Sequence, residues 1–156
     1  MKYNMDSNSK RVLFVGPYPP PFGGIASHLV SILPILIKSG YKVWFLTFTD
    51  HDDEFSPQEG VRVIRVNKKK YLVKYFGSIV KRIGSITAML KTGLGLKESI
   101  SVLTSALIIK RLIQLNKVNI VSSYMIDYSY FISLIRKWFG SDISIALTVF
   151  AEMYES

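Results

Sequence analysis

The stretch Arg11–Thr47, RVLFVGPYPPPFGGIASHLVSILPILIKSGYKVWFLT, decides the fold. Its first six residues, RVLFVG, are apolar, β-branched and aromatic, which predicts a short buried strand. A turn cluster follows at once, PYPPPFGG from Pro17 to Gly24, stiff at its proline end and free of Cβ at its glycine end. Apolar residues then fall at Ile25, Leu29, Ile32, Leu33, Leu36 and Ile37, the spacing of one helix face, so Ile25–Ser39 reads as a helix. Pro34 is placed to kink it, and Gly40 is its expected C′ residue. Tyr41–Thr49 (YKVWFLTFT) predicts a second strand.

Outward from this unit the alternation continues. Asp50–Gly60 is an acidic loop, and Val61–Val66 (VRVIRV) alternates apolar and basic residues, as a strand nearer a sheet edge does. Lys68–Lys91 has helical spacing with a basic face, Gly93-Leu94-Gly95 breaks it, and Lys97–Asn116 predicts a second long helix. Asn119–Ser123 is a short strand, Ile126–Phe139 a helix stopped by Gly140, and Ile143–Val149 a final strand. Strands separated by helices predict an α/β fold, a three-layer Rossmann-like parallel sheet with helices on both faces.

Composition narrows the chemistry. The 156 residues suit one domain, and at 49% hydrophobic the chain has ample material for a core. There is no cysteine, which excludes disulfides and thiolate metal sites. His28 and His51 are far apart, and Asp50, Asp52, Asp53 and Glu54 lack ligand-like spacing, so they read as a solvated loop and no metal is expected. The leader MKYNMDSNSK is polar, with no signal-peptide core, and residues 1–10 are expected to be disordered. The longest apolar runs, Ile32–Ile37 and Ala106–Ile109, fall far short of the roughly 20 residues of a spanning helix. The expectation is a cytoplasmic protein, peripheral on the inner face of the membrane if it meets one.

The net charge of +9 is concentrated. Between Arg62 and Lys117 there are thirteen Lys or Arg and one acid, Glu98. Such a block suggests an anionic partner. Within it, Leu72, Tyr75, Phe76, Ile79, Ile83, Ile86 and Leu90 recur at helical steps, while Lys68, Lys69, Lys70, Lys74, Lys81 and Arg82 supply the basic side. A basic amphipathic helix of this kind suits either core packing with a solvated face or an anionic membrane surface. Nucleic acid is not an expected partner, because strands buried on both faces leave no aromatic sheet on which bases stack.

The loop after the first strand is the first place to look for chemistry. In open parallel sheets ligands bind outside the carboxyl ends of the strands. Gly23 and Gly24 allow close backbone approach there, and free N–H groups at a helix start favour phosphate oxygens. The G-x-G-x-x-G dinucleotide fingerprint is absent from this loop, which argues against a dehydrogenase.

The whole of Arg11–Thr47 resembles the opening of glycosyltransferase family 4 proteins: strand, proline-rich Gly-Gly loop, long helix, glycine, second strand. The later segment NIVSSYMIDYSYFISLIRKWFGSDISIALTVFAEMYES resembles the same family's two strands flanking a helix, ending in a Thr-x-x-x-Glu stretch. The resemblance implies the N-terminal, acceptor-side half of a GT-B fold, truncated before the C-terminal donor-binding domain that would be its partner. It also implies a nucleotide-sugar donor, a glycan or lipid-linked acceptor, no metal cofactor, and retention at the anomeric carbon. Polysaccharide or glycoconjugate synthesis is the corresponding role. Gly23 and Gly24 would meet the donor diphosphate. Two departures stand out. Ser122, Ser123 and Tyr124 occupy the place where many members carry a histidine after the fourth strand, and Phe150-Ala151 replaces the usual His-Gly after the last strand.

Tyr124 and Glu152 are therefore the catalytic candidates. Phe22, His28, Tyr124, Asp127, Phe150 and Glu152 form the candidate acceptor cleft, although His28 also reads as an ordinary helical histidine and Asp127 as a helix cap. Two other readings stay open: a non-enzymatic α/β module binding an anionic surface through Arg62–Lys117, and a different Rossmann enzyme using a mononucleotide.

Overall fold

The computed structural model describes residues 10–16, 18, 24–48, 58–74, 76–91, 93–123, 129–140 and 142–147. The strands are β1 (Arg11–Val15), β2 (Lys42–Phe48), β3 (Val61–Val66), β4 (Ile120–Ser123) and β5 (Ser144–Leu147). They form one sheet in the order β3-β2-β1-β4-β5, and every pairing is parallel. The helices are α1 (Gly24–Lys38), α2 (Lys68–Lys74), α3 (Phe76–Val80), α4 (Ile83–Lys91), α5 (Leu96–Asn116) and α6 (Ser129–Phe139). The three-layer parallel α/β fold expected from the alternation is the fold observed.

Side-chain alternation on the central strands divides the core in two. Val12 and Phe14 of β1, with Val43 and Phe45 of β2, point to one face and pack on Leu29 and Leu33 of α1. Leu13 and Val15, with Trp44 and Leu46, point to the other and pack on Ala106, Ile108, Ile109 and Ile113 of α5 and Ile135 of α6. Strands buried on both faces must read as continuous apolar runs, as RVLFV and KVWFLTF do. Leu29 and Leu33 are fully buried, each contributing about 1.5–3 kcal/mol of hydrophobic stabilisation.

α1 runs through Pro34 without a break. It ends as expected: Gly40 has φ +80°, its N–H bonds the Ile37 carbonyl at 2.9 Å, and the Tyr41 N–H bonds the Leu36 carbonyl at 3.0 Å. Those two bonds form a Schellman motif, whose left-handed residue favours glycine. α5 carries polar residues into the core. Thr104 and Ser105 are buried, and their hydroxyls donate to the Ile100 and Ser101 carbonyls at 2.7 and 2.9 Å. Bonding back to the preceding turn lets a helix bury hydroxyls without orphaning them.

The basic segment differs from the single helix expected over Lys68–Lys91. A turn at Lys81-Arg82 separates α3 from α4, closed by the Arg82 N–H on the Ile79 carbonyl at 2.9 Å. Gly77 and Gly84 weaken helix propensity on either side. The turn lets Ile79, Ile86 and Met89 reach Leu103 of α5 and form a third cluster. Arg82 is drawn inward too, lying over the Trp138 ring at 5.8 Å and donating to the Ser78 carbonyl at 2.9 Å. It does not belong to the exposed basic row.

Candidate functional site

In a parallel sheet all carboxyl ends lie on one edge. Here that edge gathers Gly16 after β1, Phe48 ending β2, Asn67 and Lys68 after β3, Ser123 ending β4 and Leu147 ending β5. Because β1 and β2 are parallel, α1 must run back between them, so its first residue, Gly24, starts on the same edge. This is the position the ligand-binding rule for open sheets singles out.

The segment after β1 begins firmly fixed. The Gly16 N–H bonds the Leu46 carbonyl at 3.1 Å, and Tyr18 is buried. The Tyr18 ring meets Phe45 edge-on at 4.7 Å, and its hydroxyl accepts the Gln58 N–H at 3.2 Å. Tyr18 thus ties the first loop to the chain entering β3. It was legible only as a turn residue, because its partner lies 40 positions away. Ser123, paired with Val15 at the end of β1, is fully buried and its hydroxyl has no hydrogen-bond partner. An unsatisfied buried hydroxyl costs about 1–3 kcal/mol, so its place at the tip of β4 is noteworthy. Ser99 of α5 is in the same state.

Of the residues singled out in the sequence, Gly24 opens α1 and His28 is exposed one turn further along. Gly23, Phe22, Tyr124, Asp127, Phe150 and Glu152 lie outside the described residues, as does the acidic run Asp50–Glu54. In sequence, Tyr124 directly follows Ser123, the last residue of β4.

The basic residues divide by environment. Lys69, Lys70, Lys74 and Lys81 are exposed. Lys68 is half-buried: its ammonium lies 4.4 Å over the Phe48 ring and donates to Ser101 Oγ at 3.3 Å. Burial pushes its pKa below the ordinary 10.5. Lys68, Phe48 and Ser101 line a groove of about 990 Å³ between the end of β2, α2 and the first turns of α5. The sequence separates these three by up to 53 positions, and no local pattern marks the groove. A second hollow, of about 650 Å³, lies at the opposite, amino edge of the sheet among Arg11, Lys42, Arg62 and Lys117. Among the described residues, no helix is long and apolar enough to cross a membrane.

No protein-family model matches the chain, and no curated protein matches it in sequence. Solved structures do match in fold. The apo structure of OtsA, a GT-B glycosyltransferase, superposes over 90% of this chain with a TM-score of 0.52 at 18% identity. A trehalose-6-phosphate protein from E. coli bound with UDP-2-fluoro glucose overlaps over 88% of the chain at 18% identity, with a TM-score of 0.47. The chain spans about a third of each, 33% and 32%. It has the fold of one GT-B glycosyltransferase domain.

Proposed function

We propose that the chain is the acceptor-side half of a glycosyltransferase that moves a hexosyl unit from a nucleotide sugar to a glycan or lipid-linked acceptor. The observation that carries this is the all-parallel β3-β2-β1-β4-β5 sheet, superposable on a GT-B enzyme, with a glycine opening α1 on its carboxyl edge. Sugar transfer from a diphosphate carrier needs the departing charge stabilised, and preorganised N–H groups at a helix start do this without reorganisation. Gly23 and Gly24 are assigned that contact, and the absence of a Cβ lets the phosphates approach the backbone. Tyr124 and Glu152 are assigned to the reacting sugar. Phe22, His28, Asp127 and Phe150 are assigned to the acceptor wall. No metal is required by this scheme, and retention is the expected outcome.

The work is assigned to the cytoplasmic face of a membrane, in polysaccharide or glycoconjugate synthesis, with the second, donor-binding domain closing the cleft. Val73 on α2 and Phe76 and Val80 on α3 are exposed among Lys69, Lys70, Lys74 and Lys81, which favours an anionic lipid surface on this side. Calorimetric titration of the intact enzyme tests the assignment. Saturable binding of a UDP- or GDP-sugar with none of NAD is expected, whereas NAD binding, or no nucleotide-sugar binding, overturns it.

A further inference from the structure

The groove between β2, α2 and α5 is lined by both apolar side chains and lysines. Phe48, Leu72 and Ile100 are half-buried in its walls, and Val73 and Leu96 stand at its mouth 78% and 58% exposed. Large aliphatic side chains left open to water around a concave surface mark a binding surface more often than a solvated face does. Its volume of about 990 Å³ is at the upper end of the roughly 300–1,000 Å³ typical of small-molecule sites.

Charge selects the occupant. Among the described lining residues none is acidic and three are lysines, Lys68, Lys69 and Lys97. The acid nearest in sequence, Glu98, folds back on Gly95 at the start of α5. A purely apolar ligand would not use the lysines, and a small anion would not use the aliphatic walls. The two together fit one hydrocarbon chain ending in a phosphate. The exposed Val73, which lines the groove, is also one of the residues of the lipid-facing surface proposed above.

We propose that this groove holds the hydrocarbon chain of a lipid phosphate, the acceptor of the sugar transfer, with the lysine rim meeting the phosphate. The inference rests on the sugar-transfer reading and names its acceptor class. The groove adjoins the carboxyl edge through Phe48 and Lys68, so a phosphate at its rim lies on the side of the sheet where transfer occurs.

Alkyl phosphates test it. Calorimetry on the intact enzyme with hexyl, octyl and decyl phosphate should show affinity rising roughly threefold or more per added methylene, the increment for burying a CH₂. Decanol and inorganic phosphate should each bind at least tenfold more weakly than decyl phosphate. Val73→Asp and Leu96→Asp alter exposed positions and leave the fold intact; each should weaken decyl phosphate at least tenfold, while Ile35→Asp on the opposite helix layer leaves it unchanged. Affinity independent of chain length, equal binding of inorganic phosphate, or indifference to both groove variants overturns the proposal. Nucleotide-sugar binding is read in the same samples. If it persists while decyl phosphate fails to bind, the lipid assignment alone falls; if decyl phosphate binds and no nucleotide sugar does, the sugar-transfer reading falls and takes the acceptor role with it.

Discussion

Lys68 holds a charge in a place that partly excludes water, with a ring face and a hydroxyl as neighbours. Desolvation disfavours its charged form and lowers its pKa from the ordinary 10.5. In the window just below 10.5 the unfolded chain then binds more protons than the folded one, so folding gains stability as pH rises through it. Lys68→Met removes that gain. The variant's stability relative to the parent should therefore be most favourable at neutral pH and become less so towards pH 10.5, as read from urea midpoints at both ends. Tyr71, whose phenol burial pushes upward against the pull of Arg111, titrates equally in both proteins and cancels from the difference. A pH-independent difference would show that the ammonium is solvated in the folded state.

At the level of elements, helix ends were the most legible features and helix partners the least. Gly40 was identified from residue type alone, since a left-handed C′ residue has few alternatives to glycine. The end of α5 shows the limit of that rule. Lys117 takes the same left-handed conformation, φ 50°, and the Val118 N–H closes the turn on the Ile113 carbonyl at 3.1 Å. Lysine is strained there, so Lys117→Gly should stabilise the protein by about 0.5–1 kcal/mol in a denaturant titration. A loss of stability would mean that the lysine side chain contributes more than its backbone costs. The strands were equally plain, because RVLFV and KVWFLTF are apolar on both faces and only a central parallel strand needs that.

The segment from Lys68 to Lys91 was harder. Three- and four-residue apolar steps are satisfied by one long helix or by shorter ones around a turn, and the choice is made by α5, which binds Ile79, Ile86 and Met89 together. For the same reason the apolar stripe divides in the fold: Ile79 and Ile86 are core, while Phe76 is 61% exposed. Periodicity reports that a face is apolar and not what covers it. The groove beside Lys68 and the Tyr18 tether were invisible for a related cause, since each joins residues from separate segments.

On the scale of the whole molecule, the account makes the carboxyl edge of the sheet one wall of an interdomain cleft. The amino edge, with Arg11, Lys42, Arg62 and Lys117 around its own hollow, is the natural rival for a phosphorylated ligand, because it too is strongly basic. The two edges are at opposite ends of the same strands, so a position-resolved measurement separates them cleanly. Hydrogen exchange of the intact protein, with and without a UDP- or GDP-sugar, makes that distinction. Slowed exchange across residues 16–28 and the segment following Ser123, with no change around Lys42, Arg62 and Lys117, is the result the account predicts. Protection confined to the amino edge, or none on either, would contradict it.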